Sequence, residues 1–152
     1  MIKLLLIATM LFSFSAFAQS IQETLSRCDV NQITAEHIKS IRDGDTLYFV
    51  YLSFRNDEYT HIHDPAKIYI WDESDFEQFV ADLDSALAKF EVKLKERVGK
   101  TFSWDEDAYK IRMYDFALFK VYLYEGGTTK YTTLNKKQLK KLITWLKTID
   151  LK

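Results

Sequence analysis

The chain has 152 residues, with 21 Lys and Arg, 22 Asp and Glu, and a formal net charge of −1. This near-neutral balance argues against general attraction to nucleic acid or anionic lipid, and the content of one Pro and four Gly argues against disorder. A single cysteine, Cys28, excludes an internal disulfide, so packing alone must hold the fold together.

Residues 1–18 have the pattern of a cleaved secretory leader. Lys3 supplies a positive charge, residues 4–14 an apolar stretch, and residues 16–18 the Ala-Phe-Ala motif that a signal peptidase accepts. The apolar run is shorter than the roughly 20 residues that a membrane span requires. We expect an exported protein, periplasmic or secreted, whose mature residues 19–152 form one domain with no membrane span.

Two short helices are predicted after the leader. Ser20 and the glutamate three residues later have the spacing of a capping box, which predicts a helix over 20–28. Cys28 continues the helical spacing of this segment and is predicted to be a small buried side chain, with an intermolecular disulfide or a reactive thiol as the alternatives. Helical spacing of isoleucines predicts a second short helix over 34–42.

Two strands and a long helix follow in the first half. Residues 46–54 are apolar on both alternating faces, which predicts a central strand, and residues 67–71 alternate as a second strand. Ser74 begins another capping-box spacing, and apolar residues recur at helical intervals from there. A helix over 74–97 is therefore predicted, ended by Gly99.

The second half repeats this order. Residues 109–116, 118–125 and 128–134 are predicted to be antiparallel strands, the last two joined in a tight hairpin at Gly126-Gly127. Asn135 is predicted to cap a final helix, whose apolar core face consists of Leu139, Leu142, Ile143, Leu146 and Ile149.

The two halves share a sequence pattern. The segment FVYL at 49–52 matches KVYL at 120–123, and each is followed by a strand, a polar cap and an amphipathic helix. We predict an α+β fold: a largely antiparallel sheet with two long amphipathic helices on one face. A tandem β-β-β-α duplication is expected, with pseudo-repeats at about 46–98 and 101–150. The alternative is that any two meander-plus-helix segments share such a binary pattern.

This layout resembles, in its topology, the Whirly-type single-stranded-DNA-binding fold, in which two strands-then-helix units form one protomer. The resemblance covers residues 46–150 and depends on the order of the elements, so no binding residue is carried over from that family. It would imply a nuclear or organellar role on nucleic acid. The secretory leader argues against that role, since an exported protein would not reach such nucleic acid. In addition, fold alone does not determine function.

Catalytic and cofactor motifs are sparse. No G-x-S-x-G elbow or phosphate-binding glycine motif occurs, and a hairpin turn accounts for Gly126-Gly127. His61 and His63 would point to the same side of a strand, with Asp64 beside them, and such a group could hold a divalent metal. Two imidazoles and one carboxylate do not close a tetrahedral site, and a loop leading to Pro65 is the alternative. We expect no cofactor and no catalytic activity.

Charge is distributed asymmetrically along the chain. Residues 72–84 hold six acids and no base, whereas residues 130–147 hold six lysines and no acid. The two segments could attract one another within the molecule, or the lysines could meet an acidic protein, a polyanionic glycan or nucleic acid. The scarcity of Arg disfavours nucleic acid.

Aromatic residues form the other candidate surface. Tyr69 and Trp71 share one face of a predicted strand, and Tyr131 lies at a comparable place in the second half. If helices cover one sheet face, these rings could form a stacking platform on the open face, together with Trp104, Tyr109 and Tyr114. The alternative is that they belong to the core.

These features lead to three hypotheses. The first is an exported, non-catalytic small binding protein that engages another protein, for example an immunity or inhibitor protein. The second is a glycan- or polyanion-binding module that uses an aromatic and lysine sheet face. The third is a small metal-dependent hydrolase centred on His61 and His63. The candidate binding residues are Tyr69, Trp71, Lys130, Tyr131, Lys136, Lys137, Lys140 and Lys141.

Overall fold

The computed structural model describes residues 20–58, 64–114 and 119–151. These residues form two four-stranded antiparallel sheets and three helices, which confirms the predicted α+β class. Within the same ranges, no helix is both long enough and apolar enough to cross a bilayer.

The first sheet is a meander of consecutive strands. β1 (Ile21–Val30), β2 (Ile33–Arg42), β3 (Asp45–Arg55) and β4 (Pro65–Ile70) lie side by side in chain order, each antiparallel to the next. The inner face carries alternate apolar residues, and the sheet leaves β1 and β4 as its edges.

The two N-terminal helices predicted over 20–28 and 34–42 are wrong, because these segments are β1 and β2. Cys28 lies three residues after Leu25 and seven after Ile21, intervals that place side chains on one side of a helix but on opposite sides of a regular strand. In β1 the register shifts between Thr24 and Ser26, and Cys28 is buried whereas Ile21 and Leu25 are exposed. A two-residue turn after Val30, with Asn31 at φ 55°, reverses the chain and pairs the strands.

The second sheet repeats the meander. β5 (Thr101–Asp105), β6 (Tyr109–Tyr114), β7 (Val121–Glu125) and β8 (Tyr131–Leu134) again lie in chain order. The hairpin predicted at Gly126-Gly127 is confirmed between β7 and β8. β5 was not predicted, although its half-buried and exposed residues alternate with the period of a strand.

The first long helix is shorter than predicted. α1 (Glu73–Lys89) begins after Asp72, whose carboxylate accepts a hydrogen bond of 2.7 Å from the backbone N–H of Ser74. Asp72 is therefore the N-cap in place of Ser74, because its side chain satisfies a free amide of the first turn. The rest of the predicted helix is a separate short helix, α2 (Leu94–Arg97), which ends just before Gly99.

The C-terminal helix has the predicted cap and core face up to Leu146 but ends there, before Ile149. α3 (Lys136–Leu146) begins after Asn135, which forms a reciprocal capping box with Gln138 at 2.9 Å in each direction. Its apolar stripe is fully buried and consists of Leu139, Leu142, Ile143 and Leu146. This stripe anchors the helix in the core.

The two halves are joined by crossed contacts. α1 packs against β6 and α3, and α3 packs against β1 and β8, so each helix contacts the sheet of the other half. The sheets meet where β3 contacts β8 and β4 contacts β7. The order of four strands and one long helix thus occurs twice, and the first instance includes β1 and β2, which lie before the predicted start at residue 46. The inner faces are buried, and the outer faces are available to solvent.

Candidate functional site

Four aromatic rings form a contiguous group on the outer face of the first sheet, and we call them the aromatic face: Phe49, Tyr51, Tyr69 and Trp71. The Trp71 ring lies 4.1 Å from the ring of Phe49, and the Tyr69 ring lies 4.8 Å from that of Tyr51. Tyr69 and Trp71 lie 5.8 Å apart with their planes within 10°. Ring-to-ring contacts of this kind hold the side chains in place without help from a ligand.

The strand register explains why the rings meet. Tyr51 pairs with Tyr69 across β3 and β4, and side chains alternate between faces, so the residues two positions away stay on the same side. Trp71 follows β4 directly and lies over Phe49, which leaves Trp71 55% exposed and Tyr69 40% exposed. Of the two alternatives that the sequence left open for these residues, an open face or the core, the structure has them on an open face.

Polar groups border the aromatic face on the side of β1 and β2. A shallow groove of about 270 Å³ runs between the rings and Gln22, Thr24 and Glu36. Phe49 and Tyr51 were not assigned to this surface, because residues 46–54 were interpreted as buried on both sides. Phe49 is indeed only 2% exposed, since Trp71 lies over it, and Tyr51 is half-buried. Alternation within the sequence places Phe49 and Tyr51 on one side of the strand. Only the pairing of β3 with β4 shows that Tyr69 and Trp71 lie on that same side.

Tyr131 belongs to a different surface. It lies in β8 on the outer face of the second sheet, with its ring 5.6 Å from that of Tyr122 and 5.2 Å from that of Tyr124. Tyr114 joins this cluster at 5.2 Å from Tyr122. Burial raises the pKa of Tyr131 and of Tyr124 above the usual value for tyrosine. The structure does not bring Tyr131 together with Tyr69 and Trp71.

Two of the other candidate aromatic residues point inward. Tyr109 is buried, and its hydroxyl donates a hydrogen bond of 2.8 Å to Asp82. Trp104 is half-buried and packs against the core from β5. These two rings therefore stabilise the fold and do not extend the open platform.

Some of the candidate lysines are engaged by acids of the same chain. Lys130 lies 2.7 Å from Asp64 and 4.0 Å from Glu125, and its hydrogen bond to Asp64 raises the pKa of the lysine. Lys136 forms an ion pair with Glu91. The acids that hold these two lysines lie outside residues 72–84. An ion pair between the two charged segments themselves joins Lys147 to Asp84 at 2.7 Å.

The remaining candidate lysines line a groove between β1 and α3, which we call the lysine groove. Lys137, Lys140 and Lys141 are exposed along one side of α3. The groove has a volume of about 590 Å³ and includes Trp145 among its lining residues. Lys141 donates a hydrogen bond of 2.8 Å to the backbone carbonyl of Asp29 on β1. In the described part of the chain, Lys137 and Lys140 have no carboxylate within salt-bridge distance.

The histidine hypothesis falls mostly outside the described residues. His61 and His63 lie in the range 59–63, which the structure does not describe. Asp64 is described, and its carboxylate accepts a hydrogen bond from Lys130. Among the described residues, no group of three or more His, Cys, Asp or Glu side chains is arranged to hold a metal ion.

Cys28 is buried on the inner side of β1, where it borders the lysine groove. Burial raises the pKa of its thiol. A raised pKa lowers the fraction of the nucleophilic thiolate, so the environment is that of a packed side chain more than of a reactive one.

The exposed aromatic face and the lysine groove are thus the two surfaces that the sequence indicated and the structure assembles. They lie on either side of β1, joined by Arg27, whose guanidinium is 3.8 Å from Glu36 of the aromatic groove. Comparison with protein families, curated proteins and solved structures finds no match to this chain.

Proposed function

We propose that the protein is an exported, non-catalytic binding module that engages another protein through the aromatic face. The observation that carries this proposal is a connected set of four rings on an outer sheet face, in which Trp71 is 55% exposed, Tyr69 is 40% exposed and Phe49 is buried beneath Trp71. Trp and Tyr are the residue types that most often dominate the binding energy of protein interfaces.

The composition of the surface favours a protein partner. Leu47 lies on the same side of β3 as Phe49 and Tyr51, and it is 53% exposed. The aromatic face thus continues into an aliphatic one, and such apolar patches on soluble proteins mark sites of association. An immunity or inhibitor protein against an exported toxin is one concrete form of this function.

The rigidity of the face supports the same conclusion. Each ring contacts at least one other ring, so little side-chain freedom remains to be lost when a partner binds. Such pre-ordering improves affinity, because the loss of side-chain conformational entropy on binding, which opposes association, is then smaller.

Glycan binding is the second candidate. The Tyr69 and Trp71 planes are nearly parallel, and Glu36 with Gln22 provides hydrogen-bonding groups at the border of the same groove. Aromatic planes beside such polar groups suit a sugar ring as well as an apolar side chain. Leu47 has no role in that arrangement, which is why the protein partner ranks first.

Site-specific photo-crosslinking tests the proposal. The full chain is expressed with a photoreactive phenylalanine analogue at position 69, and cross-linked products are collected from the cell envelope. We expect one discrete protein adduct that disappears when Trp71→Ser is added. Leu94→Ser, which changes an exposed apolar residue on α2, should leave the adduct intact.

The alternative outcomes are distinct. Absence of an adduct, or an adduct that persists in the Trp71→Ser chain, would contradict binding through this face. Saturable binding to a glycan array that requires Trp71, without a protein adduct, would establish the second candidate in place of the first.

A further inference from the structure

We propose that the lysine groove between β1 and α3 binds an acidic, extended peptide segment of a partner protein. This inference goes beyond the proposed function, because it concerns a different surface and a different chemistry. It depends on the charge of the groove, the apolar character of its floor and the position of β1 at the edge of its sheet.

The charge of the groove is uncompensated. Lys137, Lys140 and Lys141 lie within two turns on the same helix, and the acids that face them are already engaged. Asp29, the only acid lining the groove in the described part of the chain, accepts hydrogen bonds of 2.9 Å from both Arg27 and Thr34. These bonds hold the pKa of Asp29 below its usual range, so it stays ionised in a local pair with Arg27. The groove therefore retains an excess of positive charge.

The floor of the groove is apolar. Trp145 packs against the core below the lysines, and Cys28 is buried beside it. A ligand that carries charge at every position would leave this floor uncovered. A segment in which acidic and apolar side chains alternate could place carboxylates near the lysines and cover the indole at the same time.

The length of the groove fits a short strand. Its lining residues on the helix side extend from Lys137 to Thr148, a rise of about 16 Å at ~1.5 Å per residue. That distance corresponds to roughly five residues of an extended peptide.

The edge position of β1 favours a peptide over a sulfated glycan. β1 pairs only with β2 in the sheet, so its other side presents backbone donors and acceptors to the groove. Lys141 now covers one of these groups, the carbonyl of Asp29. A carboxylate is a stronger acceptor than a neutral carbonyl, so an acidic peptide would draw Lys141 away and free the carbonyl for strand pairing. A glycan has no backbone amides and therefore cannot pair with the edge of β1 as a strand does.

The cations of the groove that lack an acidic partner are lysines, whereas Arg27 is held by Asp29. Lysine binds carboxylate, sulfate and phosphate groups alike as a point charge, so the lysines define a site for an anionic ligand, and the edge of β1 favours a peptide as that ligand.

Fluorescence anisotropy with a labelled peptide of alternating Glu and Val residues tests the proposal. We expect the full chain to bind this peptide saturably, less tightly as salt increases, and not to bind the matching Gln-Val peptide. Lys137→Gln with Lys140→Gln should weaken binding by roughly fivefold, the effect expected of two exposed charge pairs. The charge-preserving pair Lys137→Arg and Lys140→Arg should restore it.

A matched control removes the same charge elsewhere. Lys95→Gln with Lys100→Gln changes two exposed lysines outside the groove and should leave binding unchanged. Trp71→Ser should also leave it unchanged, which separates this proposal from the one concerning the aromatic face.

Four outcomes would overturn the inference. They are the absence of saturable peptide binding, an equal loss in the control pair, and binding of a labelled heparin fragment in place of the peptide. The fourth is self-association of the protein that requires Lys137 and Lys140, since the occupant would then be a second copy of this chain.

Discussion

The hydroxyl of Tyr109 donates a buried hydrogen bond of 2.8 Å to the carboxylate of Asp82, and so links β6 of the second sheet to α1 of the first half. The other carboxylate oxygen accepts a hydrogen bond of 2.8 Å from Gln78. Tyr109→Phe would leave one oxygen of a buried carboxylate unsatisfied. We expect a loss of about 1–3 kcal/mol in the free energy of unfolding, measured by urea titration. Tyr51→Phe, on the outer face, should change it by much less.

The same hydrogen bond predicts sensitivity to alkali. The pKa of Tyr109 is raised far above its usual value of 10.0. Burial is the larger cause, and the hydrogen bond to Asp82 is the next. A raised pKa in the folded state stabilises the fold fully below the unfolded value, and this stabilisation is lost as pH rises further. Above pH 10 the free energy of unfolding should fall, with Tyr109 contributing about 1.4 kcal/mol per pH unit. Tyr109→Phe should show a shallower decline in alkaline denaturation, and an unchanged slope would contradict the assignment.

The β7–β8 hairpin depends on glycine for two different reasons. Gly127 has φ 68°, a conformation that costs a side-chain-bearing residue about 1–2 kcal/mol. At Gly126 a Cβ atom would overlap the backbone carbonyl of Asp107, so the backbone itself would have to move. Gly126→Ala should therefore lower the melting temperature more than Gly127→Ala does. Equal effects would show that the hairpin is not held against residues 107 and 108.

Tryptophan fluorescence distinguishes the three indoles. Trp71 is largely exposed, whereas Trp104 and Trp145 are half-buried against the core. Acrylamide should quench Trp71 most strongly, so Trp71→Phe should remove the most accessible component of a Stern–Volmer plot. Trp145→Phe provides the comparison. A quenching constant that does not change in Trp71→Phe would place this ring inside the molecule and remove the basis of the aromatic face.

Cys28 should react slowly with thiol reagents in the folded protein. Its side chain is buried and burial raises its pKa, and both effects reduce access to the thiolate. Reaction with Ellman's reagent at neutral pH should be complete only after unfolding in guanidinium. Rapid reaction of the native protein, or a disulfide-linked dimer on a non-reducing gel, would contradict the buried position.

The fold could be predicted where the apolar period was unambiguous. β3, β4 and β6 to β8 follow a period of two, and α3 follows a period of 3.6 with its cap in place, so these elements were predicted at nearly their observed positions. β1 and β2 could not be recognised, because Leu25 with Cys28 and Ile38 with Ile41 lie three residues apart, an interval typical of a helix. Their identity as strands depends on pairing with β3, which is a tertiary interaction.

The candidate surfaces were predictable only in part. The common side of Tyr69 and Trp71 follows from alternation within one strand, whereas their exposure and the addition of Phe49 and Tyr51 depend on the packing and register of the sheet. Among the lysines, the sequence could not separate Lys130, which lies against Asp64, from Lys137 and Lys140. That separation depends on contacts between residues 66 positions apart in the chain.

The contact between α3 and β1 joins the last of the described helices to the first of the described strands. Until Lys136–Leu146 has been synthesised, the inner side of Cys28 and Val30 has no helix to pack against. The packing of β1 thus depends on a helix that is synthesised only after both sheets. A chain truncated before α3 would leave the inner side of β1 open to solvent, and we expect proteases to cleave it faster than the intact chain.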